Sequence, residues 1–248
     1  MRPLLGALAA GLDLVLPRSC AGCDRPGAVI CPGCRVELAR LALPDEGLLA
    51  PHPVPAAWPG CTGVLRYEGV AARLATEVKD GGRHDLVPPL GRLLAEALRR
   101  ALRGRSPPRG GPVRLVPVPS APAAVRSRGE APMLVLTRVA ARRLPGRVDV
   151  VPALRVVRRT RDQAGLTREE RLANLHGAMH VGRPAAVRGR SCLLVDDVLT
   201  SGATLTEGRR ALLDAGAERV DLAVLMVTPS RYRWGGQGSS LPFLAVSD

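Results

Sequence analysis

The chain has 248 residues, 46% hydrophobic and 2% aromatic, enough for one α/β domain of ordinary size plus a small module, with a core of Ala, Leu and Val. Its formal net charge of +14 is carried by arginine against a background of Ala, Gly, Pro and Leu, a pattern that a GC-rich coding sequence produces without selection for binding. So few aromatic side chains argue against a base-stacking platform for single-stranded nucleic acid.

In chain order, residues 1–16 (MRPLLGALAAGLDLVL) pair one basic residue with an apolar stretch that Asp13 interrupts. The stretch is too short to span a bilayer, and PRSC makes a poor lipoprotein cleavage site. An amphipathic helix packed on the next segment, in a cytoplasmic protein, is the reading. Cys20, Cys23, Cys31 and Cys34 then follow as C-A-G-C, seven residues, C-P-G-C. Two CxxC turns, kept tight by Gly22 and Gly33, present four thiolates to one tetrahedral ion and leave zinc no open position, so the site is structural. A thioredoxin-like redox pair explains one CxxC and leaves the other idle. Cys61 has only His52 as a nearby metal partner, and two ligands do not close a zinc site. Cys192 reads as a small buried hydrophobe.

Residues 35–60, rich in Pro and Ala, read as a connection with a helix near Arg35 to Leu43. Residues 70–79 and 86–103 have helical spacing, the second with Leu90, Leu93, Leu94 and Leu98 on one stripe. Lys79, at the end of the first, is the only lysine in the chain. A compact point charge that a guanidinium cannot replace is one account of it, and a helix-end cation is the other. RSPPRGGP (105–112) breaks the second helix and leads to a strand, Val113 to Val118. Met133 to Leu144 is the next helix and Val148 to Val151 the next strand.

Residues 158–178 have the composition of a lid: Thr167 and Glu170 form a capping box, and Arg158, Arg159, Gln163, Arg168 and Arg171 supply donors. His176 and His180 are four apart but lack a third metal ligand. A strand over Cys192 to Val195, a helix over Leu205 to Ala215 and a strand over Val220 to Val227 complete the pattern, and the tail from Arg231, with GGQGSS, reads as mobile. Strands alternating with helices imply a parallel sheet with right-handed crossovers. The expected organisation is a four-cysteine zinc module with its linker over residues 1–60, an α/β domain over 61–230 and a tail over 231–248.

The functional centre is CLLVDDVLTSGATL, residues 192–205. A buried strand, two acids and a polar turn opening a helix describe a cradle for a sugar phosphate. Amides of the helix's first turn and its positive dipole end favour an anion, Gly202 lets the backbone approach it, and Thr200, Ser201 and Thr204 add hydroxyls. Asp196 and Asp197 at the strand's end suit the two hydroxyls of a ribose diol. The turn lacks the Gly-Lys-Ser/Thr ending of a P-loop and the spaced glycines of a dinucleotide site.

At these residues the chain resembles the phosphoribosyltransferase superfamily, whose signature for 5-phosphoribosyl 1-diphosphate (PRPP) has four apolar residues, two acids and a Thr-Thr/Ser-Gly-x-Thr turn. VPVP at Val116 to Pro119, then Arg126, Arg128 and Gly129, with Thr160, Gln163, Leu166, Arg171, Asn174, Gly177 and Ala178, resemble its ComF branch, which is associated with competence for DNA uptake. The resemblance implies a phosphoribosyltransferase-like α/β fold after a zinc knuckle. It implies that Asp196 and Asp197 hold the ribose hydroxyls, catalysis falling to the same pair, and that Thr200, Ser201, Gly202, Ala203 and Thr204 hold the 5-phosphate. Lys79, Ser120, Arg126, Arg128, Thr160, Gln163 and Arg171 are the diphosphate and lid candidates, and Mg2+ is expected with PRPP.

ComF-like proteins usually follow the Arg-Gly step with Phe-Asn-Gln, whereas Glu130, Ala131 and Pro132 stand here. A carboxylate facing a diphosphate repels it unless it turns away or holds magnesium. Two functions stay open: an enzyme displacing pyrophosphate from C1 of PRPP, and a binding protein that senses PRPP or a nucleotide while engaging single-stranded DNA or competence partners. No nucleophile adjoins the acids in sequence, which leaves Asp197 as the least unsuitable base, and the oligomeric state is open.

Overall fold

The computed structural model describes residues 19–45, 48–51, 54–103, 111–120, 131–144, 146, 148–157, 170 and 174–229. The expected helix over 1–16, His52, Arg126, Arg128, Gly129, Glu130, the lid positions Arg158, Arg159, Thr160, Gln163, Thr167, Arg168 and Arg171, and the tail lie outside the described residues.

Strands β7 (Ser191–Leu199) and β8 (Arg219–Val227) form the centre of the structure, and both are almost continuously apolar. Such runs belong to parallel sheets covered on both faces. The order is β1 (Cys61–Thr62), β8, β7, β3 (Val113–Pro117), β4 (Val148–Val150), with β2 (Leu65–Arg66) also on β8, and every pair is parallel. The sheet expected from the βα alternation is therefore the sheet observed. A separate antiparallel pair, β5 (Leu154–Val156) and β6 (Met179–Val181), was not expected from the sequence.

Side chains alternate along the central strands and so divide the core in two. Leu193, Val195, Ala223 and Leu225 join one cluster with helices α2 (Gly69–Lys79), α3 (Val87–Leu102) and α4 (Pro132–Ala141). Cys192, Leu194, Leu222 and Val224 join the other, with helix α5 (Ala203–Asp214) and β5 and β6. On α3 the predicted stripe Leu90, Leu93, Leu94 and Leu98 is fully buried, and Pro88 and Pro89 open the helix where their missing amide hydrogens cost nothing.

One strand expectation is corrected by the pairing, and two short strands were not expected. β7 does not stop at Val195 but runs to Leu199, because β8 keeps pairing with it through Leu199↔Val227 while β3 leaves at Pro117↔Val195. β1 and β2 escape sequence reading because each has two residues, with Gly63 between them.

The helix expected near Arg35 to Leu43 is α1 (Pro32–Arg40), and the connection after it covers the edge of the sheet. Ala42 bridges Leu65 and Leu49 bridges Cys61, both antiparallel. The Arg100 guanidinium pins this segment, donating to Pro44 O at 2.8 Å, Leu43 O at 3.2 Å and Gly63 O at 3.3 Å, and pairing with Asp45 at 2.9 Å.

The cysteine segment shares the core of the sheet: Cys20, Ala21, Ile30, Cys31, Cys34 and Leu38 belong to the same cluster as Val64, Val70 and Leu74. Glu37 of α1 accepts the Val70 amide at 3.1 Å, so a carboxylate from a neighbouring helix satisfies the start of α2. Arg73 pairs with Asp24 at 2.7 Å, and Arg83 donates to Ser19 O at 2.8 Å.

Gly22 and Gly33 differ in what surrounds them. A Cβ on Gly22 would fall inside contact distance of Val70 Cγ2 and 2.7 Å from Cys34 Sγ, whereas one on Gly33, in the first turn of α1, meets nothing within 4 Å. The expectation that both keep a turn tight therefore holds as a steric demand only for Gly22. Gly22→Ala is expected to lower unfolding free energy by about 1–3 kcal/mol through overpacking, and Gly33→Ala to leave it within about 0.5 kcal/mol. Urea titrations of the two variants check this, and equal losses would contradict it.

Candidate functional site

The acid pair lies at a step in the sheet. Asp196 and Asp197 follow the residue at which β3 stops, while β8 still pairs alongside, so one flank of the pair is free of a neighbouring strand. Asp196 is 8% exposed and Asp197 half-buried. Asp196 Oδ1 accepts the Asp197 amide at 2.9 Å, and Asp197 Oδ1 accepts that of Val198 at 2.7 Å, so two backbone donors fix the carboxylates. Burial pushes the Asp196 carboxyl well above the usual range, the charge of Asp197 adds to this, and Lys79 opposes it.

Lys79 occupies the last turn of α2 and Ser120 follows the end of β3, where Val118 donates to Val195 O at 2.9 Å. The structure thus brings Lys79 and Ser120 to the sheet edge that carries the acids. The other diphosphate and lid candidates lie outside the described residues.

Ser201, Gly202 and Ala203 of the turn are buried, Thr204 is half-buried and Thr200 exposed. Gly202 is the N-cap of α5, with φ 76° and ψ 1°, a left-handed conformation that glycine adopts at no steric cost. No side chain caps the helix from that position. Ser201 Oγ accepts the Ala203 amide at 3.4 Å, a long bond, so the first-turn donors of α5 remain suited to an anion.

Sequence reasoning missed Glu207 and Arg210, which hold β6. Glu207, 3% exposed, accepts the Met179 amide at 2.9 Å, and Arg210 donates to Met179 O at 2.9 Å and to Glu207 at 2.8 Å. Although Glu207's burial raises its carboxyl, the bonds from Arg210, Met179 and Gly177 outweigh it and lower the group. Leu175 and Ala178 pack on Ala203, so one helix carries both the turn and the anchor of the adjoining segment. In sequence the two residues read as an ordinary i,i+3 surface pair, and only burial distinguishes them.

The four N-terminal cysteines form the second cluster, with their sulfurs all within 4.8 Å of one another and Cys23 Sγ 3.6 Å from Cys31 Sγ. Cys20 Sγ accepts the amides of Cys31 at 3.2 Å and Gly22 at 3.4 Å. Burial raises the Cys20 thiol, but the backbone donors of Cys31, Gly22 and Cys23 bring it down to about 6. Burial and the neighbouring thiols push Cys34 up. Four sulfurs this close cannot all ionise without a cation, and the donor set fits a zinc knuckle. Cys61 is not part of it: it lies fully buried in β1, its thiol raised by burial and by Asp196. Burial raises Cys192 to about 11, as suits a core residue. No described helix is long and apolar enough to cross a membrane.

Comparison with known proteins places this geometry. A family model described as the phosphoribosyl transferase domain matches residues 134–233. The chain is 30% identical over 209 residues to the DNA utilization protein YhgH of Salmonella typhi, covering 84% of this chain and 88% of that protein. It is 29% identical, with the same coverage, to YhgH of Escherichia coli O6:H1. Among solved structures, the hypoxanthine phosphoribosyltransferase of Trypanosoma cruzi aligns with a TM-score of 0.35 at 16% identity, over 63% of this chain and 75% of that one. The hypoxanthine-guanine enzyme of Bacillus anthracis aligns with a TM-score of 0.34 at 11% identity, with the same coverage. These structural likenesses are loose and carry no argument of their own.

The buried carboxyl has a consequence for stability. Because its folded value is raised, the folded state holds the Asp196 proton to higher pH than the unfolded chain, so stability falls as pH climbs from the ordinary aspartate range through the raised value. Asp196→Asn removes that loss. The unliganded variant is expected to be more stable than its parent at neutral pH, the gap narrowing toward pH 4. Thermal melts across pH measure this, and parallel profiles would exclude it.

Proposed function

We propose that this chain, which belongs to the ComF-type family of DNA utilization proteins built on the phosphoribosyltransferase fold, binds the ribose 5-phosphate end of PRPP or of a nucleotide at the carboxyl edge of β7. The observation that carries the reading is the coincidence, in one βα corner, of an acid pair whose first member is buried with a left-handed glycine that opens the first turn of α5. Asp196 and Asp197 accept the 2- and 3-hydroxyls, and the amides and hydroxyls of Thr200 to Thr204 hold the phosphate.

In the enzymatic reading, a nucleophile displaces pyrophosphate from C1. The acids then stabilise positive charge developing on the ribose, and Lys79, Ser120 and the arginines flanking the site take the leaving diphosphate. Magnesium, when bound with PRPP, supplies charge neutralisation for the diphosphate. The name of the relatives favours a second reading, a non-enzymatic factor in DNA utilization that binds single-stranded DNA or partner proteins while the same pocket senses the ligand. In both, residues 1–60 form the zinc-bearing part, 61–230 the ligand-binding part and 231–248 a tail, and the protein works in the cytoplasm. Incubation with PRPP, magnesium and a panel of bases and amines separates the readings by pyrophosphate release.

The Asp196→Asn, Asp197→Asn double variant is expected to lose more than tenfold in affinity for PRPP and for ribose 5-phosphate, because each acceptor-only carboxylate becomes a neutral amide that offers one acceptor oxygen and a competing donor. Unchanged calorimetry with an intact fold would refute the site. Metal analysis of the reduced protein is expected to find one zinc per chain, held by Cys20, Cys23, Cys31 and Cys34, and Cys31→Ser to lose it. A zinc-free parent or a zinc-retaining variant would exclude the knuckle.

A further inference from the structure

Trp58 stands in the Pro- and Ala-rich connection, yet its ring ends against the turn at the start of α5. A Cβ added to Gly202 would lie 2.9 Å from Pro51 Cγ and 3.3 Å from two carbons of the Trp58 ring. The indole is itself held: its Nε1–H donates to Leu49 O at 2.9 Å. Leu49 in turn exchanges both backbone hydrogen bonds with Cys61 of β1, at 2.7 and 2.9 Å. Pro51 is buried, and Trp58 packs with Leu43 and Leu49 in the cluster that contains Leu205 and Leu212 of α5. A strap hung from the edge of the sheet therefore presses on the backbone of one residue of the turn.

That residue is the one most in need of support. Gly202 is left-handed, and a glycine has no Cβ to keep it there: unsupported, it would visit the mirror-image regions as readily. Each excursion swings the amides of the following residues away from a common focus. Donors that converge before the ligand arrives bind it without ordering cost.

We propose that Trp58, with Pro51 beside it, is a positioning residue that holds Gly202 left-handed and so aims the first-turn amides of α5 at the ligand's 5-phosphate. This rests on the ribose 5-phosphate reading of the pocket. Trp58 touches the turn and not the ligand, so its contribution is confined to ligands that bear the phosphate. The indole also lies where any movement of the turn changes its surroundings.

Trp58 and Trp234 are the two tryptophans of the chain, so in full-length protein carrying Trp234→Phe the emission belongs to Trp58. Ribose 5-phosphate is expected to shift that emission saturably, with the midpoint found by calorimetry, and ribose alone to leave it unchanged. Trp58→Ala is expected to bind ribose 5-phosphate about tenfold more weakly, and Trp58→Phe, which keeps a ring against Gly202, to recover most of that loss. Ordinary destabilisation would lower the melting temperature without the phosphate selectivity or the emission shift. A folded Trp58→Ala protein with parental affinity, or an indole silent at saturating ligand, overturns the proposal. If Trp58→Ala fails to fold, the emission titration and Trp58→Phe decide. A parent that binds no ribose 5-phosphate overturns the pocket reading and the proposal together, whereas binding with a silent indole removes this proposal alone.

Discussion

A carboxyl group kept from water beside a second one is the constraint around which this fold is arranged. Asp196 is nearly inaccessible, a second carboxyl adjoins it in sequence, and β8 pairs alongside it. Such a group persists only where the surrounding backbone cannot move away. The rigidity comes from β7 and β8, which pair along almost their whole length and are covered on both faces. Among the described residues, the step between β3 and β8 leaves one flank of the carboxylates without a strand, the flank on which the proposed ligand would meet them. Lys79 at the end of α2 is the cation set against them.

The two faces of the sheet do different things for that flank. On one, α2 begins against the cysteine cluster and ends at Lys79, whose charge acts on Asp196. On the other, α5 combines the Gly202 turn, the Glu207–Arg210 anchor of β6 and the packing surface for Trp58. The geometry of residues 196–204 therefore depends on the cores of both faces.

Much of this was legible in the chain, for identifiable reasons. The apolar run, acid pair and polar turn of 192–205 determine local conformation and chemistry together, and the leucine stripe of α3 follows from helical periodicity alone. The paired CxxC spacing anticipates a cluster that the structure assembles. What stayed hidden depends on contacts distant in sequence. β1 and β2 are two residues long because their pairing is dictated by β8, not by their own propensity. The extra length of β7 comes from its partner as well. Glu207 looks like a solvated acid until β6 closes over it, and Trp58 looks like a lone aromatic until Gly202 is placed beside its ring.

The connection between the cysteines and β1 also bears on how this architecture can be divided or recombined. Ala42 and Leu49 bridge the outer edge of the sheet, and Arg100 fastens Pro44 and Asp45 from across the chain. A fragment beginning at Cys61 would lose more than a zinc knuckle. It would expose the backbone donors and acceptors of an edge strand and the apolar side chains that Leu43 and Leu49 cover, a surface of the kind that drives strands of separate molecules together. Grafting or shuffling this α/β unit onto another protein therefore has to carry the connection with it, and length changes between Ala42 and Trp58 would be felt at the ligand-facing turn.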